Sequence, residues 1–333
     1  MAIGIIANPA SGKDIRRLVS SATTIDNYEK VNIVERIVKA VIALSNEKIY
    51  FMPDSFMIGF TVIDDLKISG EDVSNLEVLQ MPMSGSMYDT VYAAEIMEQL
   101  EVGCIIVLGG DGTSRAAAKG LKRKTPLLSV STGTNNVYPR LVEGTVVGMA
   151  ATALTHMDDV SKCCIKDKRI EIYVNGVMKD IALIDATVSA DDYIGARAIW
   201  EAKKIRAIVA SRCHPASIGF SAIPGAMTII KDTDDIGVCV IPSENGTSVM
   251  AAIAAGTLEK MTLGDPVIMK LNEPLELTFD EKCMIALDGE REVKVRPGEK
   301  IEFKITKEGP YRVLVRETIE EAQRLGFFRT KDK

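Results

Sequence analysis

The chain is poor in the residues from which metal sites and disulfide-bonded folds are built. It has two histidines, His156 and His214, and six cysteines among 333 residues, and no cysteines show the Cys-x-x-Cys spacing typical of zinc sites. Two histidines give little material for a multi-histidine metal site or a histidine-based catalytic triad. Cysteines scattered in this way favour reduced thiols in a cytoplasmic protein over a disulfide framework.

Long apolar runs and an excess of positive charge are also lacking. No apolar run approaches the roughly 20 residues that span a bilayer, and the opening MAIGIIANP predicts a buried strand instead of a signal peptide. The formal net charge of −6 argues against a dedicated nucleic-acid-binding protein. Hydrophobic residues at 47% and charged residues at 26% are ordinary for a globular protein. We therefore expect a soluble cytoplasmic protein with no membrane and no nucleic-acid partner, which still permits an anionic small-molecule substrate.

The first 139 residues alternate between short apolar runs and helical patterns. Residues 104–108 are continuously apolar, as expected of a parallel strand that is covered on both faces. In the helix predicted at 31–44, the polar face is expected to carry Lys30, Glu35, Arg36 and Lys39. Strands are predicted at 2–7, 48–52, 76–81, 104–108 and 126–130, and helices at 31–44, 54–64, 92–100, 114–121 and 147–155. This alternation predicts an α/β domain with a doubly wound parallel sheet.

Beyond residue 140 the pattern favours strands, and Asn175-Gly176 is a hairpin signal. A strand at 311–316 and a helix at 319–325 suggest that the C-terminal tail returns to the first domain. The predicted domains are 1–139 with 306–333, of the α/β type, and 140–305, a β-rich, antiparallel, sandwich-like domain. Its predicted strands are 169–174, 181–188, 236–241, 275–279, 284–287, 292–295 and 300–305, and its predicted helices are about 196–207 and 248–255.

The strongest motif is Gly109-Gly110-Asp111-Gly112-Thr113, which follows the apolar strand and precedes a helix. Glycines permit positive φ and let backbone N–H groups approach an anion closely, and the helix N-terminus adds partial positive charge. A phosphate therefore fits here without a lysine side chain. Asp111, at the carboxyl end of a strand, suits accepting a proton from an attacking hydroxyl or helping to hold a metal ion. The alternative is an Asp-Gly turn followed by a helix whose N-cap is Thr113. Such a turn needs fewer glycines than the motif has.

Two further polar segments follow predicted strands. Asn8-Pro9-Ala10-Ser11-Gly12-Lys13 resembles a P-loop only superficially, because the Walker pattern would need Gly at Ala7 and Ser or Thr at Asp14. Ser131-Thr132-Gly133-Thr134-Asn135-Asn136 offers hydroxyls and amides that suit a ribose or a phosphate. Taken alone, each segment is equally consistent with a connection between two elements that binds no ligand. Three polar loops at one edge of a parallel sheet predict a nucleotide site.

These motifs together resemble a known superfamily. Gly109-Gly110-Asp111-Gly112-Thr113 with the downstream Gly133-Thr134-Asn135 resembles the NAD kinase and diacylglycerol kinase superfamily. The stretch NPASGKDIRRLVSSATTIDNYEKVNIVERIV resembles the acetoin catabolism protein X (AcoX) group within it, and the resemblance covers essentially the whole chain. It implies phosphoryl transfer from ATP with Mg²⁺, a homo-oligomer, and Asp111 as the catalytic aspartate.

The acceptor side departs from the NAD kinases. Their Asn-Glu pair corresponds to Ile184-Asp185 here, and the loop that ends at Asn136 is similar to its lipid-kinase version. The segment Ala222-Ile223-Pro224-Gly225-Ala226 lies near where NAD kinases have Gly-Ser-Thr-Ala. Asp288-Gly289-Glu290 predicts a hairpin turn and is similar to an Asp-Gly-Glu of the lipid-kinase branch. The acceptor-side candidates are Asp185, Asp288 and Glu290.

The acceptor that we expect from the resemblance is the ribose 2′-hydroxyl of NAD(H). Two alternatives stay open: a kinase for another small hydroxyl compound linked to acetoin metabolism, and a non-catalytic regulator that binds NAD or ATP. A lipid headgroup is less favoured, because no amphipathic basic stretch for docking to a membrane stands out.

Overall fold

The computed structural model describes residues 1–11, 25–133, 136–190 and 202–329. Within these ranges the helices are α1 (Asn27–Leu44), α2 (Ile58–Ile68), α3 (Met87–Gln99), α4 (Asp111–Gly120), α5 (Gly144–Thr155), α6 (Ala222–Gly225) and α7 (Val315–Arg324). The strands are β1 (Ile3–Ala7), β2 (Ile49–Phe51), β3 (Leu76–Val78), β4 (Cys104–Gly109), β5 (Pro126–Ser131), β6 (Cys164–Lys166), β7 (Arg169–Val174), β8 (Val177–Ala182), β9 (Asp185–Ala190), β10 (Ile205–Ala210), β11 (Ile236–Val240), β12 (Pro242–Ala254), β13 (Thr257–Leu263), β14 (Val267–Lys270), β15 (Pro274–Thr278), β16 (Cys283–Leu287), β17 (Glu290–Val295), β18 (Lys300–Thr306) and β19 (Tyr311–Val313).

The first sheet has the strand order β3-β2-β1-β4-β5-β19-β6. Its neighbouring strands are parallel except for the pair β19 and β6. The chain runs outward from β1 to β3 and restarts at β4 on the other side of β1. The carboxyl ends of β1 and β4 therefore form the topological switch point, where open α/β sheets bind ligands. The predicted doubly wound parallel sheet is confirmed.

Helices cover both faces of this sheet. Ile5 of β1 and Ile106 of β4 share a core with residues of α1 and α5. Ile6 and Ile105, which alternate with them along the strands, share another core with residues of α3. Because successive side chains point to opposite faces and both faces are apolar layers, these strands consist of continuous apolar runs.

Two antiparallel sheets form the second part of the molecule. Their strand orders are β14-β11-β10-β9-β16-β17 and β15-β18-β7-β8. Side chains from both sheets share one core, which includes Ile172 of β7, Val209 of β10, Ile285 of β16 and Phe303 of β18. The hairpin of β12 and β13 contributes to a smaller core with α6. The predicted β-rich, sandwich-like domain is confirmed.

Three predicted elements of this domain were wrong in type or extent. The helix predicted at 248–255 is part of β12, in which buried Val249 and Ala251 flank exposed Met250, the alternation of a strand. The described end of the helix predicted at 196–207 belongs instead to a 3-10 turn (Ala202–Lys204) and to β10; residues 196–201 lie outside the described residues. The strand predicted at 181–188 is divided between β8 and β9.

The C-terminal tail returns to the first sheet, as predicted, because β19 lies between β5 and β6. The segment that carries α5 and β6 also belongs there: α5 shares a core with α1, and β6 pairs with β19. These contacts would move the proposed boundary between the domains from residue 140 to about residue 167. All six cysteines are buried and free of disulfides. No helix in the described ranges is long and apolar enough to cross a membrane.

Gly148 allows the close crossing of α5 over α1. A Cβ at this position would overlap the carbonyl oxygen of Ile37 and lie 2.8 Å from the Cβ of Ala40. Gly148→Ala should therefore lower the free energy of unfolding by about 1–3 kcal/mol, because overpacking outweighs the gain in helix propensity. Urea unfolding followed by circular dichroism measures this change. Gly264→Ala is the control, since a Cβ there meets no atom closer than 3.5 Å; equal stability of the two variants would contradict the prediction.

Candidate functional site

Three loops meet at the switch point of the first sheet: residues 8–11 after β1, residues 109–113 after β4, and residues 131–133 and 136–138 after β5. Backbone hydrogen bonds hold them side by side. The N–H of Asn8 donates to the carbonyl oxygen of Leu108 (3.1 Å), and the N–H of Thr132 donates to that of Gly109 (3.2 Å). The three polar loops lie together at one edge of the sheet, as the sequence predicted.

Side chains link the same loops. Asn8 Nδ2 donates to Thr113 Oγ1 (3.0 Å), and the hydroxyls of Ser11 and Thr132 share a hydrogen bond of 3.0 Å. Four predicted site residues therefore form one polar wall. Four others lie outside the described residues: Gly12, Lys13, Thr134 and Asn135.

The three glycines of the motif let other groups approach the backbone closely. A Cβ at Gly109 would lie 2.5 Å from the Cβ of Thr113, and a Cβ at Gly110 would lie 3.0 Å from a side-chain oxygen of the loop after β5. A Cβ at Gly112 would overlap the carboxylate of Glu290, which reaches the motif from the second domain. None of the three has a positive φ, so left-handed geometry does not explain them. Crowding is tightest at Gly109, whereas the groups near Gly110 and Gly112 are the ends of side chains.

Asp111 binds the loop after β5. It is the first residue of α4, with Gly110 as the N-cap, a place where the helix dipole favours a carboxylate. Its Oδ1 accepts hydrogen bonds from the backbone N–H groups of Val137 (3.0 Å) and Tyr138 (2.8 Å). The predicted catalytic aspartate therefore lies in the crevice, and it also sets the position of the neighbouring loop, which the sequence did not indicate.

The loop after β5 is held from within as well. Asn136 Nδ2 donates to Ser131 Oγ (2.8 Å), and Ser131 Oγ donates to the carbonyl oxygen of Gly133 (2.7 Å). The structure thus gives Asn136 and Gly133, both predicted to bind the nucleotide, a part in shaping the loop.

Lys30 shapes the loop after β1. The prediction that it lies on a polar surface was wrong, because the side chain is fully buried. Its ammonium donates to the carbonyl oxygens of Asn8 (2.9 Å) and Ser11 (2.8 Å) and to Asn27 Oδ1 (3.0 Å). A buried ammonium bound to carbonyl oxygens compensates its lost hydration and fixes residues 8–11 against α1.

Asp288, predicted to lie on the acceptor side, forms the turn between two strands and binds neighbouring backbone. It has φ +49° and Gly289 has φ +82°, which makes the predicted hairpin turn between β16 and β17. Its buried carboxylate accepts hydrogen bonds from the N–H groups of Leu183 (2.9 Å), Ile184 (2.8 Å) and Asp185 (3.2 Å). These bonds bind the backbone between β8 and β9, where the two strands separate. Burial raises the pKa of this carboxyl, which the nearby Arg115 opposes.

Arg115 connects this turn to the first domain. Its guanidinium projects from α4 and is fully buried. It lies 3.0 Å from Glu290, 3.5 Å from Asp180 and 3.7 Å from Asp288. Of the acceptor-side candidates, Asp288 and Glu290 thus meet the helix that begins with Asp111, and Asp185 is buried beside them, with its carbonyl oxygen accepting from the N–H of Asp288 (2.9 Å).

A second buried cluster, missed from the sequence, surrounds Asp167. Its Oδ2 accepts hydrogen bonds from the Tyr138 hydroxyl (2.7 Å) and from Arg312 Nε (2.8 Å), and its Oδ1 lies 3.2 Å from Arg212 Nη2. Tyr138 thereby connects Asp111 to this cluster through its backbone and its hydroxyl. A cleft of about 430 Å³ opens between the loop after β5 and the segment that carries Arg212.

The segment Ala222–Gly225, expected near the acceptor, forms α6 behind this cleft. A Cβ at Gly225 would lie 2.5 Å from the carbonyl carbon of His214, so α6 supports the segment that carries Arg212. Lys168 also borders the cluster: it is buried and donates to the carbonyl oxygens of Lys231 (3.0 Å) and Ile236 (2.7 Å). Burial, assisted by the nearby Arg212, lowers the pKa of Lys168 from 10.5 to about 8.

Comparison with known proteins agrees with this architecture. Residues 3–159 match the family model of the ATP-NAD kinase N-terminal domain, and residues 168–308 match that of the acetoin catabolism protein X C-terminal domain. The fold is similar to that of yeast NADH kinase complexed with NADH (TM-score 0.54, 12% identity, 100% of this chain and 89% of that chain). It is also similar to a putative diacylglycerol kinase from Bacillus anthracis str. Sterne (TM-score 0.53, 14% identity, 94% of this chain and 97% of that chain).

The fold is therefore of the kind seen in these NADH kinase and diacylglycerol kinase structures, with a glycine-rich crevice at the carboxyl ends of β1 and β4. The protein named Acetoin catabolism protein X from Cupriavidus necator is 32% identical over 310 residues, which cover 90% of this chain and 86% of that protein. The chain belongs to the acetoin catabolism protein X family.

Removal of the charge on Asp288 should loosen the joint between the domains. Asp288→Asn leaves the buried guanidinium of Arg115 with less negative charge and weakens the hydrogen bonds from three backbone N–H groups. We expect a loss of about 3–5 kcal/mol in the free energy of unfolding, measured by urea titration. Glu290→Gln is the control, because that side chain is half exposed and exposed ion pairs contribute about 0–1 kcal/mol. Similar losses for the two variants would contradict the assignment.

Lys168 should make stability depend on pH in the alkaline range. The folded state releases its proton near pH 8, whereas the unfolded chain holds it until about pH 10.5. Between these values the unfolded state binds more protons, so stability rises with pH. The free energy of unfolding of the wild type minus that of Lys168→Met should therefore increase from pH 8 to pH 10.5, while groups common to both proteins cancel. A difference that stays constant over this range would disprove the lowered pKa.

Proposed function

We propose that the protein is an ATP-dependent kinase that phosphorylates a hydroxyl group, with the ribose 2′-hydroxyl of NAD(H) as the acceptor. The observation that carries the proposal is the position of Asp111: first residue of α4, at the switch point of the sheet, between the loops after β1 and β5. Phosphate groups suit the N-terminus of α4 and the polar wall of Asn8, Ser11, Thr113 and Thr132. Asp111 would accept the proton of the attacking hydroxyl.

Mg²⁺ fits the residues that line the crevice. The described part of the chain has no cluster of three histidine, cysteine or acidic side chains that would form a protein cage for a metal. Mg²⁺ usually keeps several waters and binds one or two carboxylates plus substrate phosphates. Glu290, whose carboxylate lies against Gly112, would help to hold the ion, which when bound neutralises charge on the transferred phosphoryl group. Catalysis by this chain then rests on positioning and on the proton accepted at Asp111.

The rigid geometry around Asp111 supports a catalytic role over mere ligand binding. The two backbone donors, Val137 and Tyr138, orient the carboxylate before any substrate binds. Preorganised groups of this kind lower the cost of reaching the transition state.

A kinase for another small hydroxyl compound is the second candidate. It is favoured by Ile184 and Asp185, which stand where NAD kinases have an Asn-Glu pair. Both are buried, and their N–H groups are bound by Asp288. The same crevice and the same role of Asp111 would serve this reaction. A homo-oligomer and a cytoplasmic location stay predictions.

The proposal is tested by incubating purified protein with ATP, Mg²⁺ and NAD and reading NADP through a coupled dehydrogenase. Asp111→Asn should lower kcat by about 10²–10⁴-fold with little change in melting temperature, because the amide oxygen still accepts from the loop. Asp89→Asn is the matched control: it also lies in the first turn of a helix and accepts from backbone N–H groups, but of residues 84–85. Full activity of Asp111→Asn would refute the assignment. Absence of NADP with measurable phosphorylation of another hydroxyl would leave the second candidate.

A further inference from the structure

The cleft of about 430 Å³ beside the Asp111 loop is not used by the phosphate-handling groups described above. One wall is formed by residues 136–138, whose backbone binds Asp111. The facing wall is formed by residues 212–214 and 229–232 of the second domain. A molecule bound here would lie next to the loop whose backbone binds the proposed catalytic carboxylate.

The charge in this cleft is predominantly positive. The described residues that line it include one carboxylate, Asp232, and a second carboxylate, Asp167, is buried behind the wall. Both form ion pairs with the same arginine, Arg312. Against these two acids stand four cationic side chains: Arg140, Arg212, Lys231 and Arg312. An excess of positive charge in a concave site attracts and retains anions.

Arg212 has hydrogen-bonding capacity to spare. It is only 8% exposed, its Nε has no hydrogen-bond acceptor among the described residues, and its Nη2 lies 3.2 Å from Asp167 Oδ1 without hydrogen-bond geometry. The guanidinium lies over the ring of Tyr138, 5.4 Å from the centroid, and its ion pair with Asp167 is shared with Arg312. A buried guanidinium whose donors are only partly matched is costly, and a planar carboxylate or a phosphate is the group whose geometry matches its donors.

We propose that this cleft binds the phosphoryl acceptor through an anionic group, a carboxylate or a phosphate, held by Arg212 with Arg140 and Lys231. The proposal rests on the kinase function proposed above. It makes the acceptor a hydroxyl compound that carries an acid group, placed so that the hydroxyl reaches Asp111 while the acid lies in the cleft. An uncharged polyol is thereby excluded, and the diphosphate of NAD, a sugar phosphate and a hydroxy acid share the required chemistry.

The test measures binding instead of turnover. The Gly-rich loop is first saturated with Mg²⁺ and a non-hydrolysable ATP analogue, so that anions binding there are not counted. Dissociation constants are then measured by calorimetry for NAD, glycerol 3-phosphate, D-glycerate and, as the uncharged comparison, glycerol. The first three probes distinguish a diphosphate, a phosphate monoester and a carboxylate as the source of the anion.

Arg212→Gln should weaken binding of at least one anionic probe by about tenfold or more, and glycerol should not bind measurably. Because Arg212 contacts buried Asp167, Lys231→Gln serves as a second variant on an exposed side chain and should weaken the same probe. Arg123→Gln is the control, an exposed arginine near the opposite end of β5, and should change nothing. Equal affinities in the wild type and both cleft variants, glycerol binding as tightly as the acids, or no binding of any acid at millimolar concentration overturns the proposal.

Failure of this proposal is distinguishable from failure of the kinase function. NADP formation with an unchanged KM for NAD in Arg212→Gln and Lys231→Gln refutes the anion site and leaves the kinase standing. Loss of acid binding in those variants without phosphorylation of any probe supports the anion site and counts against the kinase.

Discussion

A fully buried guanidinium has to be neutralised where it lies, and in this protein that requirement holds the two domains together. Arg115 belongs to α4 of the first domain, whereas Asp180, Asp288 and Glu290 belong to the second. Arg115 without these acids, or buried Asp180 and Asp288 without Arg115, would leave buried charge uncompensated, at a cost of several kcal/mol. The ion-pair cluster therefore fixes the helix that begins with Asp111 against β8 and the turn between β16 and β17.

Three buried or half-buried charges shape this crevice by binding backbone groups. Lys30 binds carbonyl oxygens of the loop after β1, Asp111 binds N–H groups of the loop after β5, and Asp288 binds N–H groups between β8 and β9. Hydrogen bonds to ionised groups are about twice as strong as neutral ones. These loops are thus kept in place by the protein itself, which reduces the ordering that a substrate would have to cause on binding.

The sheet and the meeting of the three loops were predictable, because a strand covered on both faces is apolar throughout, as residues 104–108 are, and because parallel strands end at one edge. Lys30 was placed wrongly, since its partners are backbone carbonyls, which leave no signal in a sequence. Residues 248–255 combine alanines and a methionine, which favour a helix, with Val249 and Ile253, which favour a strand. Pairing with β13 decided the outcome. The cluster of Asp167, Arg212 and Arg312 was invisible because its members come from distant parts of the chain.

The position of β19 has a consequence for synthesis on the ribosome. Residues 311–313 complete the first sheet by inserting between β5 and β6, although they follow the entire second domain in the chain. Until they emerge, β5 has an unpaired edge, and β6 has no neighbour in the sheet. An exposed edge of this kind invites pairing with other chains. The nascent N-terminal domain therefore cannot be finished first, and its maturation has to wait for nearly the whole polypeptide.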